Sequence, residues 1–362
     1  MFRGLNAKAL NFIAFAALRT SLCTKFTVDS LTQFVLGAAL AEATIGHRVG
    51  RLAALMGGIV ATLPDLDVFV PFGDPVSDFT YHRSATHSLL LLTLAAPLVA
   101  WLITRFKQSW RDDFKPWLLT VWLVLITHPL LDSLTVYGTQ LLWPLSEHPF
   151  AVGSIFIIDP LYTLPLLGAV ITAQLMRRTE RRASRLNAWV LVATTAYLAL
   201  GFGAQQWARS EVVRQAQAAG LSTERVGVWA TPFNIAAWRA VIVGPDGYHV
   251  GYYSLIGAGE IVFGHYASRP ELLVSVQDSP YVERLAWFTK GFFAVGEEGG
   301  QVVMRDLRMG LEPDRYVFGF AVASAEAGDV EARKPERVAP EPYSPADWQA
   351  LRNRVLGQPP DQ

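Results

Sequence analysis

Residues 88–103 form a run without a single charge, and the same pattern returns at 117–131, 160–176 and 188–206. Each run approaches the roughly 20 residues that cross a hydrocarbon core of about 30 Å, once flanking polar side chains reach the interface. Four spanning helices are predicted from these runs. Two shorter apolar segments precede them, residues 31–46, which carry a lone Glu42, and residues 52–63. These either span or form a re-entrant pair covered by the other helices.

After Trp207 the period changes. Residues 210–219 read as a polar helix leaving the membrane, and from Val226 to Ala323 short β-branched and aromatic runs follow one another: AVIVG, YHVGYYSLI, LLVSV, GFFAVG, QVVM and YVFGFAVA. Turn signals at Pro245-Asp246-Gly247, Gly257-Ala258-Gly259 and Glu297-Glu298-Gly299-Gly300 separate them. The predicted fold is a polytopic α-helical membrane domain followed by a small β-rich soluble domain. Its parts are a membrane-embedded domain at 28–206, a linker helix at 207–225, the β-rich domain at 226–324 and a loosely ordered tail, rich in Pro, Glu and Ala, at 325–362. Residues 1–27 fit this plan poorly. Ala9 to Leu18 is apolar but too short to span, so the stretch reads either as a signal peptide without a clean cleavage site or as an extension preceding a start at Val28.

Composition supports lipid as part of the solvent. Apolar residues make up 51% of the chain and charged residues only 17%, against about 25% charged in an average soluble domain. Lys+Arg and Asp+Glu balance at 31 each, so charge points to no nucleic-acid partner. With Cys23 the only cysteine, an internal disulfide and a thiolate-rich zinc site are both excluded. Any metal must be held by imidazole and carboxylate.

The charges that exist orient the helices. The connections at 105–115 and 177–185 carry four and five basic residues, whereas 132–159 carries none. Positive charge favours the cytoplasmic side. The first two connections, with His47, Arg48 and Arg51, are therefore expected inside, and 132–159 with everything beyond Trp207, the β-rich domain included, outside.

On that topology four polar motifs meet at the outer interface: Leu63-Pro64-Asp65-Leu66-Asp67, His82-Arg83-Ser84-Ala85-Thr86-His87-Ser88, His128-Pro129-Leu130-Leu131-Asp132-Ser133 and Ile158-Asp159-Pro160-Leu161. His128 and Asp132 are four apart and share a helix face, and Pro129 frees the carbonyl of Leu125. His82 and His87, five apart, differ by about 140° on a continuous helix, so one of them is expected in the preceding loop. An extended Asp65-Leu66-Asp67 would send both carboxylates to one side. Singly, each motif has a plainer reading: a lone interfacial His or Asp is usually only solvated, and Asp159-Pro160 suits a helix N-cap. Their convergence points instead to a metal site drawn from Asp65, Asp67, His82, His87, His128, Asp132 and Asp159. Zinc suits this donor set first, with manganese, iron or nickel open, as one ion or two. Asp65 or Asp67 is the candidate general base, and Arg83 the candidate contact for an anionic substrate. Glu42, Glu147, His148, His249 and His265 are read as lying outside the site, with Glu42 snorkelling to the inner interface and the last two lacking nearby partners.

With Asp29-Ser30-Leu31-Thr32 and Gly57 added, these motifs in order resemble the bacterial inner-membrane metal-dependent hydrolases of the YdjM-like, LexA-regulated group. The resemblance covers about half the chain, from Val28 to Gln206. It implies a membrane-bound hydrolase with Asp65, Asp67, His82, His87, His128 and Asp132 at the metal-site positions. Where many relatives carry Thr-His, this chain has Thr32-Gln33. The function expected is hydrolysis of a lipid-like or envelope ester or phosphoester at the outer face of the inner membrane, with membrane lipids as neighbours. The alternative is a non-catalytic metal-binding membrane protein, either a transport component or an envelope stress factor.

Overall fold

The computed structural model describes residues 23–176, 181–257, 259–326 and 329–356. The expectations for residues 1–22 lie outside the described residues, as do parts of the second basic loop, of the turn at Ala258 and of the tail. By packing, the chain divides into two compact units. One holds 23–65, 96–128 and 162–192 of the described residues; the other holds 66–95, 129–161 and 193–356.

In the first unit, α1 (Cys23–Thr44) and α2 (Leu52–Ala61) are the two short apolar candidates, α1 being 22 residues long rather than 16. They touch backbone to backbone. A Cβ on Gly37 would stand 2.4 Å from the Gly57 carbonyl oxygen, and one on Gly57 would stand 2.3 Å from that of Gly37. Gly37 with Ala41, and Gly57 with Ala61, form a small-x-x-x-small pair on each helix, the pattern that lets helices approach closely where lipid removes the hydrophobic drive. Hydroxyl pairs tie α1 to its neighbours: Thr44 Oγ1 to Thr120 Oγ1 at 2.8 Å and Thr32 Oγ1 to Thr163 Oγ1 at 3.0 Å. Glu42 does not snorkel. It is 6% exposed, and its carboxylate fills the space a side chain at Gly46 would need.

Among the described residues three helices are long and apolar enough to cross a membrane: α4 (Leu89–Phe106), α5 (Phe114–Ser133, with the 3-10 turn Gln108–Asp113 leading in) and α7 (Arg181–Ala218). These carry three of the four predicted spans. The fourth, α6 (Pro160–Leu175), has 16 residues, about 24 Å at 1.5 Å per residue, which is shorter than the hydrocarbon core. The helix α7 runs unbroken from the last predicted span into the predicted linker as far as Ala218, so the polar 210–218 segment extends a membrane helix.

The second unit contains two four-stranded antiparallel sheets. One is the meander β1 (Val226–Ala230), β2 (Ala237–Gly244), β3 (Gly247–Ser254) and β4 (Gly264–Ala267); the other has the order β10 (Asp329–Val338), β9 (Gly319–Glu326), β6 (Gln301–Asp306), β5 (Phe293–Glu298). A two-stranded ribbon, β7 (Gly310–Leu311) with β8 (Arg315–Tyr316), completes it. Alternation sets the faces of β2: Trp238, Ala240 and Ile242 pack with Ala208, Val212 and Ala216 of α7, while Val241 points to the opposite core with Leu307 and Tyr316.

Three local readings change. The apolar run LLVSV lies in a 3-10 helix, Pro270–Val276, because Pro270 opens it and the buried Leu273 and Val276 repeat at three, not two. The described part of the tail holds regular elements: β10 pairs with β9, and α9 (Pro345–Val355) starts from a capping box between Ser344 and Asp347. Also, His249 and His265 are direct cross-strand partners, with ring centroids 4.8 Å apart.

A further helix, α3 (Pro75–Tyr81), begins where Asp74 caps the Val76 and Ser77 amides, with Pro75 in the first turn. Its Val76 and Phe79 are buried in one core with Phe288, Phe318, Phe320 and Val302. The β-rich core is thus completed by a segment that precedes α4 in the chain.

Candidate metal centre

Within the first unit, His128 of α5 is fully buried and its Nδ1 lies 2.7 Å from the carbonyl oxygen of Ala61, the last residue of α2. A carbonyl only accepts, so Nδ1 carries the proton and Nε2 presents its lone pair. Opposite that lone pair, at 3.3 Å, is Asp65 Oδ1. Gln33 donates from Nε2 to the His128 carbonyl at 3.1 Å. It therefore steadies the helix that bears His128.

The second unit repeats this logic. The Thr86 hydroxyl donates its one proton to Asp67 Oδ2 at 2.7 Å, so its oxygen accepts from His87 Nδ1 at 3.0 Å. His87 Nε2 is thereby left with a lone pair, 3.2 Å from Asp132 Oδ2. Arg83 is buried at 3% exposure, with Nε 3.4 Å from the same oxygen and its guanidinium carbon 5.2 Å from the centre of the Tyr137 ring. Its backbone lies in the left-handed region at φ 64°, uncommon for a non-glycine residue, and its amide donates to Asp67 Oδ2 at 3.0 Å.

Asp65 and Asp67 belong to one 3-10 helix, Pro64–Phe69, and His128 and Asp132 to one α-helix that runs through Pro129. Asp65, His87, His128 and Asp132 each offer a ligand atom, all lying within 4.8 Å of one another, and together they form a buried group that could hold a metal ion. The charge suits a divalent cation: two carboxylates and two imidazoles held neutral by their Nδ1 protons. Two lone pairs facing two carboxylate oxygens in a buried place require something positive between them, either a proton on each ring or a cation. Two nitrogens and two oxygens are a donor set that zinc and several other first-row metals accept.

Not every candidate enters this group. Three residues per turn turns Asp67 away from Asp65, so the extended reading of D-x-D does not hold. The Asp67 carboxylate instead gathers Thr86, the Arg83 amide and His82 Nδ1, the last at 2.9 Å. Burial alone would raise its pKa, but the hydrogen bond with His82 and the Arg83 amide outweigh it and hold the carboxyl below the usual carboxylate range. His82 caps the end of α3 and His87 closes the 3-10 turn Ala85–His87, so both histidines precede α4 and neither lies on it. His82 remains partly open, with 23% side-chain exposure. Asp159 stands apart: Oδ1 accepts from the Leu161 amide at 2.9 Å as an N-cap, and Oδ2 accepts from the Tyr197 hydroxyl at 2.8 Å. Arg83, expected to meet an anionic substrate, is directed at Asp132.

Sequence reasoning did not find Thr86, the Ala61 carbonyl or Gln33 as supporting groups. A hydroxyl one residue before a histidine was the available signal for Thr86; the other two come from remote helices and left none.

A family model described as YdjM inner membrane protein matches residues 28–208. The Bacillus subtilis (strain 168) protein YfhP, described as uncharacterized, is 30% identical over 153 residues. That match covers 40% of this chain, and the chain spans somewhat under half, 45%, of the length of YfhP. No solved structure matches.

Proposed function

Since the chain belongs to the YdjM inner membrane protein family, we propose that it is a membrane-bound, metal-dependent hydrolase. The reading rests on one observation: the Nδ1 partners of His87 and His128 direct both Nε2 lone pairs at carboxylates inside a buried group of four ligands. Asp65, His87, His128 and Asp132 would hold the ion, zinc first. When bound, such an ion supplies Lewis acidity toward a substrate oxygen and acidifies a water.

The chain's own residues divide the remaining work. Arg83 offsets the carboxylate charge at Asp132. A carboxylate held below its usual pKa range is a poor base near neutrality, where the best catalytic pKa lies close to the operating pH. Asp67 accordingly serves as the partner that orients His82, and His82, partly open and hydrogen-bonded through Nδ1, moves the proton at Nε2. This is the division of roles seen wherever a carboxylate fixes an imidazole base.

A lipid-like or envelope ester or phosphoester is the proposed substrate class. Support comes from the segment that carries Asp67: Leu66, Val68, Phe69, Val70 and Phe72 are all exposed, a row of apolar side chains suited to the leaflet rather than to water. The basic connections favour a site and a β-rich unit on the periplasmic side.

One observation favours the alternative, a non-catalytic metal-binding protein. The four ligands are 5, 0, 0 and 1% exposed for Asp65, His87, His128 and Asp132, and closed sites are commonly structural. Metal analysis of the detergent-purified full chain, repeated on His128→Ala and Asp132→Ala, tests the centre; unchanged metal in both folded variants would remove it. An ester, phosphoester and lipid-ester screen with His82→Gln then separates the two readings. The hydrolase reading expects metal retained and turnover lost by about 10²–10⁴-fold, and no turnover of any substrate by metal-loaded wild type would favour the alternative.

A further inference from the structure

Away from the metal centre, the second unit carries a half-open hollow of ≈ 280 Å³ lined by α7, β1 and the segment after α8 (Pro280–Phe288). Its charged lining residues are Arg209, Lys290 and Arg308, with no carboxylate among the lining residues. Asp306, behind the wall, balances Arg308, so the lining keeps a net positive charge from Arg209 and Lys290 that an anion in the hollow would offset. The mutual effect of the cations shows at Lys290, an exposed residue on the rim whose ammonium the protein partly desolvates; that and the charge of Arg308 lower its pKa.

Arg308 is the better-defined of the three. It is 5% exposed, and Asp306 takes one edge of its guanidinium: Nε lies 2.9 Å from Oδ1 and Nη2 2.7 Å from Oδ2. The remaining corner, Nη1, is buried with no hydrogen-bond partner among the described residues. An unmade hydrogen bond at a buried charged group costs more than one at a neutral group. A charge-assisted bond to an anion would satisfy it. Lys290 adds a second irregularity. It sits at φ 56°, in the left-handed position after a helix that glycine normally takes, so a long cation is held where a side chain is disfavoured.

The lining also says what accompanies the charge. Trp229 and Phe292 meet edge to face at 5.1 Å on the cavity wall, an apolar surface beside the cations. The volume is near the lower end for ligand pockets, about 300 Å³. Gln205, Gln206 and Arg209 lie where the uncharged run of α7 ends, next to an exposed Trp207, the level at which aromatic residues mark a membrane interface.

We propose that this cavity binds a phosphate ester, its phosphoryl oxygens held by Arg308 Nη1, Lys290 and Arg209 and its small organic part against Trp229 and Phe292. The ester can reach it as a soluble molecule or as the headgroup of an anionic phospholipid. The site is separate from the metal centre and does not rest on the hydrolase reading.

The test uses the full chain purified in neutral detergent and stripped of metal with a chelator, so loss of the metal centre cannot be confused with loss of this one. Glycerol 3-phosphate is titrated calorimetrically. In parallel, phosphatidylglycerol and phosphatidylcholine adducts are counted by native mass spectrometry. Lys290→Gln removes one exposed cation; Arg308→Gln with Asp306→Asn removes the buried pair together, leaving no uncompensated charge. Arg269→Gln, in a surface ion-pair network outside the cavity, is the control. Glycerol 3-phosphate binding weakened about tenfold or more by Lys290→Gln and unaffected by Arg269→Gln assigns a soluble ester. Phosphatidylglycerol adducts lost in the cavity variants, over an unchanged phosphatidylcholine background, assign the headgroup. If wild type binds neither probe at millimolar concentration, or all variants bind alike, the proposal falls.

Discussion

Replacing Thr86 with valine keeps the volume of the side chain and deletes only its hydroxyl. Two hydrogen bonds go with it, the 2.7 Å bond to Asp67 Oδ2 and the 3.0 Å bond from His87 Nδ1. Asp67 keeps the Arg83 amide and His82, so the main loss falls on His87, which is fully buried. Its Nδ1 proton then lacks an acceptor, at a cost of about 1–3 kcal/mol. The ring has two escapes. Moving the proton to Nε2 removes the lone pair that faces Asp132. Swinging Nδ1 from 3.9 Å onto Asp67 Oδ2 draws Nε2 off its 3.2 Å position by Asp132. Either way the ligand set is impaired although no ligand has been changed. Outer partners of this kind are typically worth 10–100-fold in metal affinity, or about 1.4–2.7 kcal/mol. Competition against a chromophoric zinc chelator, on detergent-purified full chain, should show that weakening in Thr86→Val and recovery in Thr86→Ser. Equal affinities for wild type and both variants would refute the tautomer argument, and with it the assignment of Nε2 as the ligating atom of His87.

Three further outcomes are expected. Gly57→Leu should break the α1–α2 contact, where even a Cβ would stand 2.3 Å from a backbone oxygen, and should lower both thermal stability and metal content, because α2 delivers the Ala61 carbonyl to His128; unchanged metal content in a folded variant would separate the two. Glu312→Gln should destabilise the β-rich unit at pH 7 by roughly 3–5 kcal/mol, since the carboxylate lies between Arg239, Arg354 and the Tyr252 hydroxyl. Burial pushes the pKa of Glu312 up, but these partners outweigh it and hold it below the usual value of 4.5; its stabilisation is therefore present above about 4.5 and lost as pH falls through the lowered pKa, so melting curves of variant and wild type should converge in acid. Reporter fusions at Lys107 and within the β-rich unit should read cytoplasm and periplasm, and the reverse pattern would move the site to the inner face.

The spans were legible because lipid imposes a coarse rule: long uncharged runs between basic connections have few other meanings. Asp65, His87, His128 and Asp132 were legible for a related reason, as polar residues at the ends of such runs. Finer assignments failed where one spacing fits two backbones. A two-residue spacing is the same in a strand and in a 3-10 turn, and only the structure shows that Asp65 and Asp67 diverge. Short apolar runs are ambiguous in the same way, as 272–276 shows. The segment 74–81 was passed over between two motifs, although Asp74-Pro75 is a helix-start signal and Val76, Phe79 and Thr80 form its buried side. The tail misled by composition: Pro and Glu suit a strand at a sheet edge as well as they suit disorder, and β10 is such an edge.

That passed-over helix changes how the chain should be divided. A motif-bearing half with a soluble appendage would place nothing essential to the site beyond Gln206. In the second unit the connection is tighter. The ring of Phe79 is 4.4 Å from that of Phe318 and 4.8 Å from that of Phe288, and the Tyr137 hydroxyl donates to the Phe79 carbonyl at 2.6 Å. One residue on, Arg284 of α8 donates from Nε to Thr80 Oγ1 at 2.5 Å and stacks over Tyr81 at 3.7 Å. His82 and Arg83 follow at once. The residues that fix the end of α3, and so set where His82 meets Asp67 and where Arg83 meets Asp132, come both from Tyr137 and Gln140 and from the β-rich sequence. Burying Phe79 stabilises that sequence in return, a contact whose removal typically costs 3–5 kcal/mol. The two sequences are therefore coupled through one short helix, and the geometry of the histidine segment belongs to both.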